Sequence, residues 1–373
     1  ATAFGDFAAY VDFTAPTYTG SSTITSYTAT SDPAGGSGTI NQAGSGTITV
    51  TGLTGSTTYT FTVTATNSIG TSGPSASSNS IITDERPPGT QKAIFGYGYS
   101  LTGYTSITNL VSNTGVVSAD TTGVGTERAT LAAAGYGTDK AIFGYGYTTG
   151  NLSMTNKVSN TGVVSGDTTG VGTARRGLAA AGYGTDKAIF GYGYSPTTNI
   201  TNLVSNTGVV SADTTGVGTA RYTLAAAGYG GDKAIFGYGW FNTVVSLNNL
   251  VSNTGVVATD TAGVGSARQY LAAAGYGTDK ALFGYGTTGT VTSITNLVSN
   301  YGVVASDTTG VGTARAYLAA AGYNGDKAIF GYGHNNGNLS ITNLVSNTGV
   351  VSADTTGVGT VRNSIAAAGF SLS

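Results

Sequence analysis

The sequence predicts an all-β chain of two domains, and three observations carry that prediction. Turn formers dominate: 60 of 373 residues are glycine, with abundant Thr, Ser and Asn. Polar and apolar residues alternate over short stretches bounded by Gly, Pro and Asp, the period of half-buried strands. From Lys92 onward, a unit of about 47 residues recurs six times, and repeats of that length indicate an array.

Composition limits what the chain can do. Only 9% of residues are charged, yet 23 Tyr and 12 Phe supply enough apolar surface to offset chain entropy, so disorder is not expected. No apolar run approaches the length of a bilayer, so no membrane insertion is expected. The net charge is −2 and no basic cluster exceeds Arg175-Arg176, which argues against a nucleic-acid partner. The absence of cysteine excludes disulfides and thiolate metal sites and leaves the redox compartment open. The chain starts at Ala1 without Met and shows no signal peptide, which reads as a processed chain or part of a longer one.

The segment Lys-Ala-Ile/Leu-Phe-Gly-Tyr-Gly starts at Lys92, Lys140, Lys187, Lys233, Lys280 and Lys327. An Arg, two variable residues, Leu or Ile and Ala-Ala-Ala-Gly recur from Arg128, Arg175, Arg221, Arg268, Arg315 and Arg362. Each unit reads as four short strands: Leu131 to Tyr136, Lys140 to Tyr145, Met154 to Asn160, and one beginning at Val163. That is the pattern of a propeller blade. The array opens on a second strand and closes on a lone first strand, Ser364 to Phe370. The strands balance when the last pairs with the first, Lys92 to Tyr97, closing six blades and removing the exposed edges. The six Arg, identical in a charge-poor chain, are expected to be structural. The Arg, the apolar strand, the Gly-Tyr-Gly strand and the later Thr108-Asn-Leu-Val111 resemble kelch repeats over residues 92–373. Departures are Gly-x-Gly in place of a Gly-Gly doublet and a single Trp240.

Residues 1–86 lack the repeat. Ala8 to Phe13, Thr23 to Ala29, Thr47 to Val50 and Thr58 to Thr66 alternate, with turn clusters at Asp32-Pro33, Gly35-Gly36, Gly52 and Gly55 between them. This predicts a sandwich of about seven strands. The runs Phe13-Thr-Ala-Pro, Leu53 to Tyr59 and Phe61 to Asn67 resemble fibronectin type III domains. That resemblance implies a corner tyrosine near Tyr59, with Phe13 in place of the usual core Trp. Residues 87–91, around Pro87-Pro88, read as a short stiff linker.

Candidate chemistry is sparse. His334 is the sole histidine, in an Asn/Gly-rich loop, and reads as a solvent-exposed loop residue. Asp120, Asp167, Asp213, Asp260, Asp307 and Asp354 precede Thr-Thr-Gly or Thr-Ala-Gly. One such Asp per loop is too few for calcium, and a turn role with pairing to the repeat Arg or Lys is expected. No catalytic residue, metal or cofactor is expected, and the chain reads as not an enzyme.

The informative pattern is where the units differ. Turns at one end of the strands barely change. At the other end, the residues after each Arg and the loops following Gly-Tyr-Gly vary and carry aromatics. Loops on a rigid scaffold are where binding is expected. The candidate ligand-binding residues are Tyr99, Tyr104, Tyr147, Tyr194, Tyr222, Trp240, Phe241, Tyr270, Tyr317 and His334, with Tyr222, Tyr270 and Tyr317 nearest the axis. A fibronectin type III-like domain joined to near-identical, charge-poor repeats is similar to virion proteins of tailed bacteriophages. The resemblance implies a tail-fibre or adhesion module at the virion surface. Its partners would be other virion structural proteins and a host cell-surface glycan or protein. The alternatives are a capsid or tail decoration protein without receptor binding and a bacterial surface adhesin.

Overall fold

The computed structural model describes residues 1–3, 8–54, 57–83 and 91–371. The chain divides into two compact units, Ala1–Pro88 and Gly89–Ser373. Most of the expected linker, 87–90, lies outside the described residues, and Gln91 already belongs to the first strand of the second unit.

In the first unit, seven strands form two antiparallel sheets: β1 (Thr2–Ala3), β2 (Ala9–Phe13), β3 (Ile24–Asp32), β4 (Ser37–Ile40), β5 (Gly46–Val50), β6 (Thr58–Asn67) and β7 (Ile81–Ile82). The orders are β1-β2-β5 and β4-β3-β6-β7. Inward residues of both sheets, including Val11, Tyr27, Ile48, Tyr59 and Phe61, make one core. The Tyr59 hydroxyl accepts the Thr54 N–H at 2.9 Å, fixing the corner between the sheets. Phe13 does not fill the core position expected of it. It is half-buried and rests on the buried Tyr27, ring centroids 4.2 Å apart. Between β6 and β7 the chain runs back along β6 without forming a strand over residues 72–80. Ser72, Ser75 and Ser78 each donate their N–H to a carbonyl of β6, and each Oγ accepts the N–H of that same β6 residue. Serine hydroxyls at every third position thus satisfy edge groups that a paired strand would otherwise take.

Among the described residues of the second unit, six antiparallel three-stranded sheets follow the repeat, one per repeat, beside a small three-stranded sheet (Tyr99–Ser100, Gly103–Tyr104 and Arg362–Asn363) and a two-stranded one (Trp240–Phe241 with Thr243–Val244). In the second repeat the inner strand is Ala132–Tyr136, the middle Lys140–Tyr147 and the outer Asn151–Val158. The fourth strand expected in each repeat is reduced to isolated bridges such as Val158↔Val164 and Thr155↔Thr168. Side chains take up backbone groups along this segment. The Ser165 Oγ accepts the Lys157 N–H, and the Asn156 amide donates to the Ser165 carbonyl.

The first sheet is assembled from both ends of the array. Ala366–Ser371 pairs antiparallel with Gln91–Gly96, Ala367 opposite Phe95 and Phe370 opposite Lys92. The middle strands are buried on both faces, which suits an unbroken Ala-Ile-Phe run. Packing between neighbouring sheets repeats one interlock. The Phe143 ring lies where a side chain on Gly96 would be, 2.7 Å from that position, and Phe95 occupies the same place against Gly331 in the sixth repeat. The inner strands meet where the residue two beyond each repeat Arg adopts positive φ. There Thr130 N–H donates to Ser364, Gly177 to Thr130, Thr223 to Gly177, Tyr270 to Thr223, Tyr317 to Tyr270 and Ser364 to Tyr317, at 2.7–2.9 Å. Six peptide groups close a circuit of backbone hydrogen bonds.

Candidate functional site

Two systems of polar and aromatic side chains are built on this scaffold, one buried and one at the variable end. In the buried system, each middle strand either breaks register or ends at Gly-Tyr-Gly, and the Tyr takes positive φ, 63° at Tyr145. Such a backbone is costly for a bulky residue and persists only where its surroundings hold it. The repeat Arg does that holding. Arg128, fully buried, donates from Nε to the Tyr145 carbonyl (2.8 Å), from Nη1 to the Thr126 carbonyl (2.9 Å) and from Nη2 to Asn156 Oδ1 (2.6 Å). The Asn156 amide donates onward to Asp167, whose carboxylate also accepts the Thr126 N–H and hydroxyl. The guanidinium lies 4.3 Å over the Tyr97 ring of the preceding sheet.

The same set recurs six times and closes on itself. Arg362 donates to the Tyr97 carbonyl, Arg128 covers the Tyr97 ring, and Arg362 in turn covers Tyr332. Asp167 lies 3.9 Å from Arg128, so Asn156 is the direct contact and the carboxylate neutralises at longer range. Burial pushes the Asp167 carboxyl upward, but its hydrogen bonds from Thr126 and Asn156, with Arg128 nearby, hold it below its ordinary value. Burial pushes the Arg128 guanidinium down, opposed by Tyr97 and Asp167. The six Asn were not singled out by sequence reasoning, although each stands at the same place before Leu-Val or its equivalent.

The variable residues do share one end of the sheets, because the residue after each Arg bridges the first residue beyond Gly-Tyr-Gly. Examples are Ala129↔Tyr147, Arg176↔Tyr194, Tyr222↔Trp240 and Ala316↔His334. Much of the predicted set is in ring contact. Tyr99 meets Tyr104 edge-on at 5.2 Å, Tyr104 approaches Tyr147 at 6.4 Å, and Tyr194 meets Tyr222 at 5.2 Å. Arg176 joins these groups, 4.4 Å from the Tyr147 ring and 5.1 Å from the Tyr194 ring. Tyr270 stacks on Tyr317 at 3.9 Å, and Tyr317 touches the edge of His334.

Burial pushes the Tyr270 hydroxyl well above the ordinary phenol range, and Tyr317 adds to the rise. Trp240 and Phe241 stand outside these ring contacts among the described residues. Phe241 is exposed, and Trp240 is half-buried with its backbone bonded to Tyr222.

Two expectations need correction. His334 is not a free loop residue: it ends the strand Lys327–His334, is half-buried, and exchanges backbone hydrogen bonds with Ala316. Tyr270 and Tyr317 line a cavity of about 80 Å³ with the Leu residues that precede the inner strands, but Tyr222, one position nearer its Arg, does not. Arg176, which in the sequence stands out only as half of a basic pair, belongs with the tyrosines of this end.

Comparison with known proteins separates the two units. The fibronectin type III family matches the first of them. Residues 5–81 are a fibronectin type III domain. The fibronectin type III domain accounts for the two sheets and the Tyr59 corner, while the repeated unit lies beyond it. No curated protein matches the chain. Among solved structures, a fungal alcohol oxidase of the AA5 family in complex with copper aligns with 74% of this chain and 65% of its own, at 14% identity and a TM-score of 0.46. The expectation that the chain is not an enzyme is withdrawn, since this solved structure is itself an enzyme. At that score and identity the likeness assigns neither activity nor copper to the chain.

Proposed function

We propose that the six sheets are the blades of a closed, kelch-like β-propeller whose variable end is a ligand-contact surface for a host-surface glycan. A fibronectin type III domain beside such a module fits a virion surface or tail-fibre protein of a tailed bacteriophage. The observation that carries the reading is the concentration of Tyr99, Tyr104, Tyr147, Tyr194, Tyr222 and Arg176 at one end, in mutual contact and partly open to solvent. Tyrosine faces stack on sugar rings, and side chains with two torsions lose little entropy on binding. The test is a glycan array probed with the full chain, expected to show saccharide binding that disappears when Tyr104 and Tyr194 are both changed to Ala. An array with no bound saccharide overturns the reading.

A second reading, a decoration protein that covers a particle surface, is favoured by a different observation. At the opposite end one Val per repeat, from Val116 and Val163 to Val350, is 62–66% exposed. Six equivalent apolar residues in water suit contact with a flat partner. Changing Val163, Val256 and Val350 to Ser abolishes particle attachment under this reading and leaves it intact under the first.

A further inference from the structure

We propose that Arg176 makes the variable end selective for acidic saccharides by binding a sugar carboxylate. The proposal rests on the reading of that end as a glycan surface and names the class of glycan. The position after each buried Arg holds Ala129, Arg176, Tyr222, Gln269, Ala316 and Asn363, so one repeat in six places a cation there.

The seven arginines in the repeats bind in two different ways. The buried six direct Nε, Nη1 and Nη2 to carbonyls and Asn side chains, as Arg128 does. Arg176 is half-buried, and its guanidinium has no hydrogen bond or ion pair among the described residues. What holds it is the Tyr147 ring at 4.4 Å and the Tyr194 ring at 5.1 Å. Contact with aromatic faces leaves the in-plane N–H groups available. A guanidinium presents those donors as a rigid fork that matches the two oxygens of a carboxylate. Because the tyrosines already hold the side chain, little rotamer freedom remains to be lost when an anion arrives.

The positive charge also reaches the surrounding phenols. It is the cation that acts on Tyr104, Tyr222 and Tyr270, opposing the upward push of burial on each hydroxyl. A uronic acid placed with its carboxylate on Arg176 would have tyrosine faces on both sides for its own ring and its neighbour's. The lysines that start the middle strands are not competitors for such an anion. Lys140, Lys187, Lys233 and Lys280 each pair with the adjacent Asp, in the turns at the opposite end.

The test is calorimetric titration of the full chain with a uronic-acid oligosaccharide, its carboxyl-reduced counterpart and an acidic peptide of equal charge. The uronate is expected to bind at least about tenfold more tightly than the reduced sugar, a difference of ~1.4 kcal/mol. Arg176→Gln should erase that difference, with Arg176→Lys restoring part of it. Equal binding of both sugars, lost in the Tyr104→Ala, Tyr194→Ala double variant, overturns the role of Arg176 and leaves the glycan reading standing. A peptide bound as tightly as the uronate overturns the saccharide assignment. Failure of both sugars to bind overturns the glycan reading, and this inference with it.

Discussion

Arg362 donates from Nε to the carbonyl of Tyr97 at 3.0 Å, although 265 positions of sequence separate them. Its Nη2 reaches Asn109 Oδ1 at 2.6 Å, and Asp120 accepts from Thr360 two residues before it. The last repeat thereby supplies the same buried contacts to the first sheet that Arg128 supplies within the second. Arg362→Met should cost about 3–5 kcal/mol in denaturant unfolding, because a buried carbonyl and amide oxygen lose their donor. Arg221→Met, its equivalent inside the array, should cost a similar amount. A much smaller loss for Arg362 would mean the closing contacts are not stabilising.

Gly144 faces the Phe190 ring, whose Cζ lies 2.7 Å from where a Cβ would be. The contact is between sheets, and Phe190 is fully buried. Gly144→Ala should destabilise by ~1–3 kcal/mol through overpacking. Pairing it with Phe190→Leu should recover part of the loss, read as a rise in denaturation midpoint over the single variant.

Acid should weaken the second unit at a defined point. Asp120, Asp167, Asp213, Asp260, Asp307 and Asp354 are each pushed up by burial and pulled further down by Thr or Ser and Asn hydrogen bonds, to below the ordinary 3.8. A depressed folded pKa means the stabilisation is present above 3.8 and is lost as pH falls through the folded value. Thermal midpoints should hold steady down to about pH 4 and drop below it. Asp167→Asn should make that drop shallower.

Alkali should act through the buried phenols. Burial raises the Tyr97, Tyr192 and Tyr332 hydroxyls to about 12, against the downward pull of Arg128, Arg221 and Arg362. A raised folded pKa gives stabilisation that is complete below 10 and lost as pH climbs toward 12. Ultraviolet titration of phenolate should show exposed tyrosines ionising first. The buried set should follow only with unfolding.

Trp240 and Phe241 test the surface apart from the core. Their simultaneous change to Ala should weaken attachment to a glycan-bearing surface while leaving the thermal midpoint nearly unchanged, because Phe241 is exposed and neither ring joins the tyrosine contacts among the described residues. Normal attachment by this variant would confine the contact surface to the tyrosines around Arg176.

Local pattern determined much of this protein. Alternation in Ile24–Asp32 and the unbroken Ala-Ile-Phe run after each Lys specify strands, because side-chain period and burial follow directly from residue type. The six-fold recurrence located both variable segments at one end, and the offset between first and last repeat foretold the pairing of Ser364 to Phe370 with Lys92 to Tyr97, which the structure holds as Ala366–Ser371 on Gln91–Gly96. What the sequence could not decide depends on partners distant along the chain. The expected fourth strand is reduced to isolated bridges, and the Asn156 amide, like its equivalents Asn249 and Asn296, takes a backbone carbonyl along it. Arg175 and Arg176 are adjacent and chemically identical, yet one is sealed among carbonyls and the other is held between tyrosines with its donors free. Strand alternation turns neighbouring side chains to different surroundings, and only the packing of successive sheets decides which surroundings are buried.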